Sequence, residues 1–96
     1  MNGKRSFSFS TTSGSCYVVD MMLAGYFNAG ECSISGGNLI TNFQNNLSLR
    51  SDRWTTNIVL VLKANGGNIT VTLGGAEAPG KGQYDRVSEA VVFKFN

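Results

Sequence analysis

The hydrophobic positions of the chain fall in short runs whose dominant period is two, the repeat of a β-strand. Residues 5–12 alternate, with Phe7 and Phe9 on one side and Ser6, Ser8 and Ser10 on the other. This predicts a strand with one wet face. Ser13-Gly14-Ser15 marks a turn. Residues 16–27 carry two periodicities at once. As a strand, Tyr17, Val19, Met21, Leu23 and Phe27 share a face opposite Asp20. As a helix, Val18, Met21, Met22, Gly25 and Tyr26 share one, with Ser15 as its cap and Gly30 as its stop. Cys-Tyr-Val-Val favours the strand, bent at Gly25, and Met-Met-Leu-Ala favours the helix. The strand is preferred and the helix stays open.

Residues 31–35 and 38–44 flank Gly36-Gly37, which predicts a hairpin, because tight hairpin turns require positive φ. Asn45-Asn46 predicts a further turn before Leu47 and Leu49. The strongest signal is residues 55–64, where Ile58, Val59, Leu60, Val61 and Leu62 are consecutive. A continuous apolar run implies a strand covered on both faces. Asn65-Gly66-Gly67-Asn68 then precedes the alternation of Ile69, Val71 and Leu73, predicting a second hairpin with 58–62 against 69–73. Glycines and Pro79 make residues 74–82 a loop. A last strand spans about 84–95, with Val87, Val91, Phe93 and Phe95 pointing inward. The sum is one mainly β domain over residues 1–96, a small antiparallel sandwich or roll of six to eight short strands. One helix near 15–28 would make it α+β instead.

Composition sharpens this picture at one point. Charged residues are 15% of the chain, against about 25% in an average soluble domain. Ten Ser, seven Thr and ten Asn fill the difference. From Ser6 to Leu49 the only charges are Asp20 and Glu31. Interface cores are depleted in charge, so this half is expected to be covered in part by another subunit. The outer side chains of the 58–62 run lead to the same expectation. A helix at 15–28 would cover them within one chain, and a second copy would cover them otherwise.

No segment approaches the ~18 apolar residues of a membrane-spanning helix, and the alternating N-terminus lacks a secretory h-region. A cytoplasmic location is expected, with no membrane partner. Cys16 and Cys32 are 16 positions apart, without histidine or a neighbouring base, and are expected to be reduced and non-catalytic.

The absence of histidine excludes Ser–His and Cys–His catalysis, and the six carboxylates are scattered. The chain is therefore read as no enzyme, with no cofactor and no metal. Its candidate binding residues are cationic or aromatic. Arg50, Arg53 and Trp54 surround Asp52, and arginine and tryptophan are enriched at binding hot spots. Lys81, between Gly80 and Gly82, would allow an anion to approach ammonium and backbone N–H together. Arg86 is the further cation that would converge with Arg50 and Arg53 on such a ligand. Lys4-Arg5-Ser6-Phe7-Ser8-Phe9 interleaves basic and aromatic residues, as single-stranded nucleic-acid binders do, but a net charge of +2 is small for that role.

In its low charge and richness in Asn, Gly, Ser and Thr, the chain is similar in style to small accessory or virion-associated proteins of bacteriophages. That likeness would place it in a host cytoplasm or a virion. The function expected is non-catalytic binding or assembly as a homo-oligomer, with a protein partner also open. The alternative is binding of a small phosphorylated molecule or single-stranded nucleic acid.

Overall fold

The structure is a computed structural model that describes residues 6–24, 26–27, 29–50, 53–76 and 89–96. At 24, 26–27, 46–50, 53–55 and 75–76 it describes the backbone alone. The protein is a small antiparallel β-sandwich. One sheet has three strands in the order β1 (Ser6–Thr11), β7 (Gly67–Thr72), β4 (Ser33–Ser35). The other has four, in the order β5 (Gly37–Arg50), β6 (Arg53–Ala64), β2 (Cys16–Ala24), β9 (Glu89–Phe95). A two-stranded ribbon pairs β3 (Tyr26–Phe27) with β8 (Gly75–Ala76), and a single 3-10 turn covers Ala29–Glu31.

The core is made where the period-two faces of the two sheets meet. β2 contributes Tyr17, Val19, Met21 and Leu23, β6 contributes Ile58, Leu60 and Leu62, and β7 contributes Ile69 and Val71, all buried. Phe7 and Phe9 of β1 and Ile34 of β4 pack against them, half-buried. The strand reading of residues 16–24 therefore holds, with the inward face expected, and no helix forms there.

Two predicted hairpins do not exist. Residues 58–62 pair with β2 and β5, and residues 69–72 pair with β1 and, in part, β4. Both edges of β6 are occupied, so none is left for β7. The chain instead crosses from one sheet to the other at Gly66 (φ 115°) and Gly67 (φ 73°). Gly36 (φ 84°) makes the same crossing from β4 to β5. Local turn chemistry specifies a sharp reversal, and the strands' other partners decide whether the two arms pair.

A third crossing, from β1 to β2, lies beside these two. The Gly14 N–H donates to the Ala64 carbonyl at 2.9 Å, Ala64 N–H to the Ser15 carbonyl at 2.9 Å, and Asn65 N–H to the Gly36 carbonyl at 3.0 Å. Backbone that leaves a sheet must find other hydrogen-bond partners, and these corners find them in one another.

Two further expectations are corrected. Asn45-Asn46 is no turn: β5 runs through it, paired with Asn57 and Thr56, and the reversal comes between Arg50 and Arg53. The phase of β9 is shifted by one residue. Ala90 and Val92 pack on the core, while Val91, Phe93 and Phe95 are exposed. Val87 lies outside the described residues, as does the predicted strand before Glu89.

Candidate functional site

The inversion of β9 creates the surface of greatest interest. In an antiparallel sheet directly paired residues point to the same side. On the outer side of the four-stranded sheet the register therefore builds transverse rows. Thr41, Val61, Val18 and Phe93 form one row, and Phe43, Val59, Asp20 and Val91 form the next. Beyond one end lie Asn38, Lys63, Cys16 and Phe95, and beyond the other Asn45, Asn57, Met22 and Glu89.

This face is apolar and open to water. Phe43 is 61% exposed, Phe93 54%, Val91 50%, Phe95 45% and Met22 42%. They are five of the seven exposed large hydrophobic residues among those described, and the other two, Leu39 and Ile40, sit at the β5 bulge. Val18, Val59 and Val61 lie half-buried between them. Among the residues whose side chains are described, its charges are Lys63, Asp20 and Glu89. Asn57 Nδ2 donates to Asp20 Oδ1 at 2.8 Å and to the Met21 carbonyl at 2.9 Å, which fixes the carboxylate in the middle of the apolar rows.

At the lateral edge of the sandwich, β1 and β9 leave a cleft of about 380 Å³ lined by Phe9, Ser10, Thr11, Thr12, Tyr17, Val92 and Lys94. The Thr12 N–H donates to the Tyr17 phenol oxygen at 2.8 Å, and Lys94 Nζ donates to Thr12 Oγ1 at 3.3 Å. Phe9 and Tyr17 meet with ring centroids 5.7 Å apart. The cleft offers one cation, and that cation is already engaged.

The predicted binding residues are placed as follows. Arg50 and Arg53 are cross-strand partners at the end of the β5–β6 hairpin, and Trp54 pairs with Ser48. The described structure there is backbone. Lys81 and Arg86 lie outside the described residues. The rows of Val91, Phe93 and Phe95 with Val59 and Val61 were missed as a site, because β9 was expected with the opposite phase. No residue type in the segment signals this phase: it puts Lys94 on the inner side at the rim, where its Nζ reaches Thr12 Oγ1 and its stem can lie on the core edge while the ammonium stays wet.

Neither cysteine is in a disulfide. Burial pushes the Cys32 thiol above its ordinary value, Glu31 adds to the shift, and a backbone hydrogen bond from Gly74 acts against it. A thiol reacts as its thiolate, so alkylation of Cys32 at pH 8 is expected to be slower than in the urea-unfolded chain. Iodoacetamide labelling followed by mass spectrometry checks this, and an equal rate in the two states would contradict it.

Among the described residues no cluster of His, Cys, Asp and Glu could hold a metal, and no helix is long and apolar enough to cross a membrane. No protein-family model, curated protein or solved structure matches the chain.

Proposed function

We propose that this protein is a non-catalytic assembly module, a homo-oligomer built by packing the outer face of its four-stranded sheet onto a second copy. The observation that carries this is the concentration of Met22, Phe43, Val91, Phe93 and Phe95 on one exposed face. Isolated exposed apolar residues are ordinary, but contiguous apolar patches on a soluble domain mark contact sites. Four strands at about 4.8 Å spacing and seven residues at about 3.3 Å give the face a projected area of roughly 440 Å². Side-chain relief raises its accessible area toward the about 600 Å² per partner at which specific interfaces begin. The helix that would have covered Val59 and Val61 from within the chain is replaced by β2, which lies beside them in the sheet.

The face suits nucleic acid poorly. Three phenylalanines would offer stacking platforms, but Lys63 shares the surface with Asp20 and Glu89, and carboxylates repel phosphates. Phe7 and Phe9, which the sequence placed beside Lys4 and Arg5, turn toward the core. A self-assembling role in the cytoplasm, or as a component of a virion, agrees with the phage-like composition.

Light scattering at micromolar concentration tests the proposal. The wild type is expected at a multiple of 10.3 kDa. Val61→Glu and Phe93→Glu are expected to return it to the monomer mass with an unchanged far-UV spectrum, because both residues lie on the outer face. A wild type that remains monomeric up to 100 μM refutes the proposal.

A further inference from the structure

We propose that the two copies meet with their strands antiparallel, about a two-fold axis that lies in the plane of contact and runs across the strands, so that Lys63 of each faces Asp20 of the other. This rests on the assembly just proposed and specifies its geometry. Closed pairs of identical chains are related by a two-fold axis, and for two stacked sheets that axis lies between them. Sheets packed face to face keep their strands within about 30° of alignment, which leaves two arrangements. The axis runs along the strands or across them.

The charges on the face discriminate between the two. Lys63 stands in the end row with Cys16 and Phe95, Asp20 stands two rows away along the strands, and Glu89 stands in the far end row. An axis along the strands, between β6 and β2, leaves every row opposite itself. The two Lys63 side chains would then be offset sideways by one strand spacing, about 5 Å, with no carboxylate between them. The two Asp20 carboxylates would oppose each other in the same way. Like charges desolvated together at an interface select against an arrangement.

An axis across the strands exchanges the rows end for end. The two Lys63 side chains are then roughly 20 Å apart along the face. Each stands about 8 Å in projection from the Asp20 of the other copy, one strand over and one row along, within the reach of a lysine side chain. The other copy's Glu89 comes to lie over the end row that holds Lys63. Apolar rows still meet apolar rows, since the row of Val61 and Phe93 lands on the row of Val59 and Val91. The two Asp20 carboxylates stand one row apart, about 7 Å, and each has the other copy's Lys63 about 8 Å away, so that Asp20, held by Asn57 at 2.8 Å, gains a cation at the point where assembly would take it out of water.

Within one copy Lys63 and Asp20 are about 14 Å apart, so they do not form a pair in the monomer. A charge exchange therefore reads the contact between copies. The dimer dissociation constant is measured by sedimentation for the wild type, Lys63→Glu, Asp20→Lys and the double variant, with melting curves to confirm folding. Each single variant is expected to weaken the dimer by about tenfold or more, and the double variant to recover to within about threefold of wild type. Weakening without recovery overturns the antiparallel arrangement. So does an unchanged constant in Lys63→Glu while Phe93→Glu still dissociates the dimer, a result that leaves the face itself as the contact. Should Asp20→Lys melt early, Lys63→Glu paired with Asp20→Asn is read instead, and it must be tighter than Lys63→Glu alone. A wild-type monomer refutes the assembly as well as its geometry.

Discussion

Leu60→Ala is expected to lower the unfolding free energy by about 2–5 kcal/mol, while Val61→Ala, its immediate neighbour, costs below about 1.5 kcal/mol. Leu60 is 1% exposed at the centre of β6, between Val19 and Asn42 in the sheet, and belongs to the buried cluster shared with Ile69 and Val71 of the facing sheet. Truncation there removes three buried carbons and leaves a cavity lined by side chains that two sheets hold in place. Val61 points to the other side and is half-buried. For a domain of this length 1 kcal/mol corresponds to about 4–8 °C in melting temperature, so the two variants separate by at least about 2 °C. Melts followed by circular dichroism at sub-micromolar concentration, where assembly contributes little, measure the difference. A larger loss in Val61→Ala than in Leu60→Ala would reverse the assignment of inner and outer faces, and with it the candidate site.

The same two residues show what was readable in the chain beforehand. Period two is a property of consecutive residues, so β1, β2, β6 and β7 were visible as strands, and the inward faces of β1 and β2 came out right. Five consecutive apolar residues in β6 led to an expectation of cover on both sides, whereas only Ile58, Leu60 and Leu62 are buried and Val59 and Val61 are half-buried on the outer face. Pairing is a different matter. Gly36-Gly37 and Asn65-Gly66-Gly67 are hairpin-like in sequence, yet each carries the chain between sheets, because β6 takes β2 and β5 as its neighbours. No short-range signal encodes that competition.

The site was legible only in outline. The scarcity of charge between Ser6 and Leu49 falls on β2 and β5, which supply two of the four strands of the outer face. The surface itself needs β9, which comes from the other end of the chain and lies against β2. Its apolar residues were expected inside because aromatic side chains usually are. Five positions, Val91 to Phe95, alternate in either phase, and the residue types favour the one with both phenylalanines inside and Lys94 outside, which is not the one the sheet adopts. The cluster of Arg50, Arg53 and Trp54 drew notice by residue type, and its place at the far end of the β5–β6 hairpin separates it along the strands from the row of Lys63.

Gly36→Ala is expected to cost about 2–5 kcal/mol, and Gly14→Ala only about 1–2 kcal/mol, although the two glycines have almost the same backbone conformation. Their φ values are 84° and 82°, in the left-handed region where any L side chain is strained, so that part of the cost is common to both. The space around them differs. A Cβ at Gly14 would meet nothing within 4 Å. A Cβ at Gly36 would drive into the carbonyl oxygen of Asn68, with the Asn68 carbonyl carbon at 3.0 Å and the Ile69 Cα at 3.3 Å. These are backbone atoms of the neighbouring crossing, which cannot step aside as a side-chain end can. The Gly36 carbonyl also accepts from Asn65 N–H at 3.0 Å, so displacing Gly36 loosens the corner that hands β6 over to β7. Urea unfolding of both variants gives the two free energies directly. Equal losses would mean that the Asn68 corner yields without cost, and that the close approach of the two crossings is incidental to how the sheets are joined. A loss in Gly36→Ala exceeding that in Gly14→Ala by 1 kcal/mol or more would make the packed corners a fixed element of the sandwich, holding the two sheets in the register from which the outer face takes its shape.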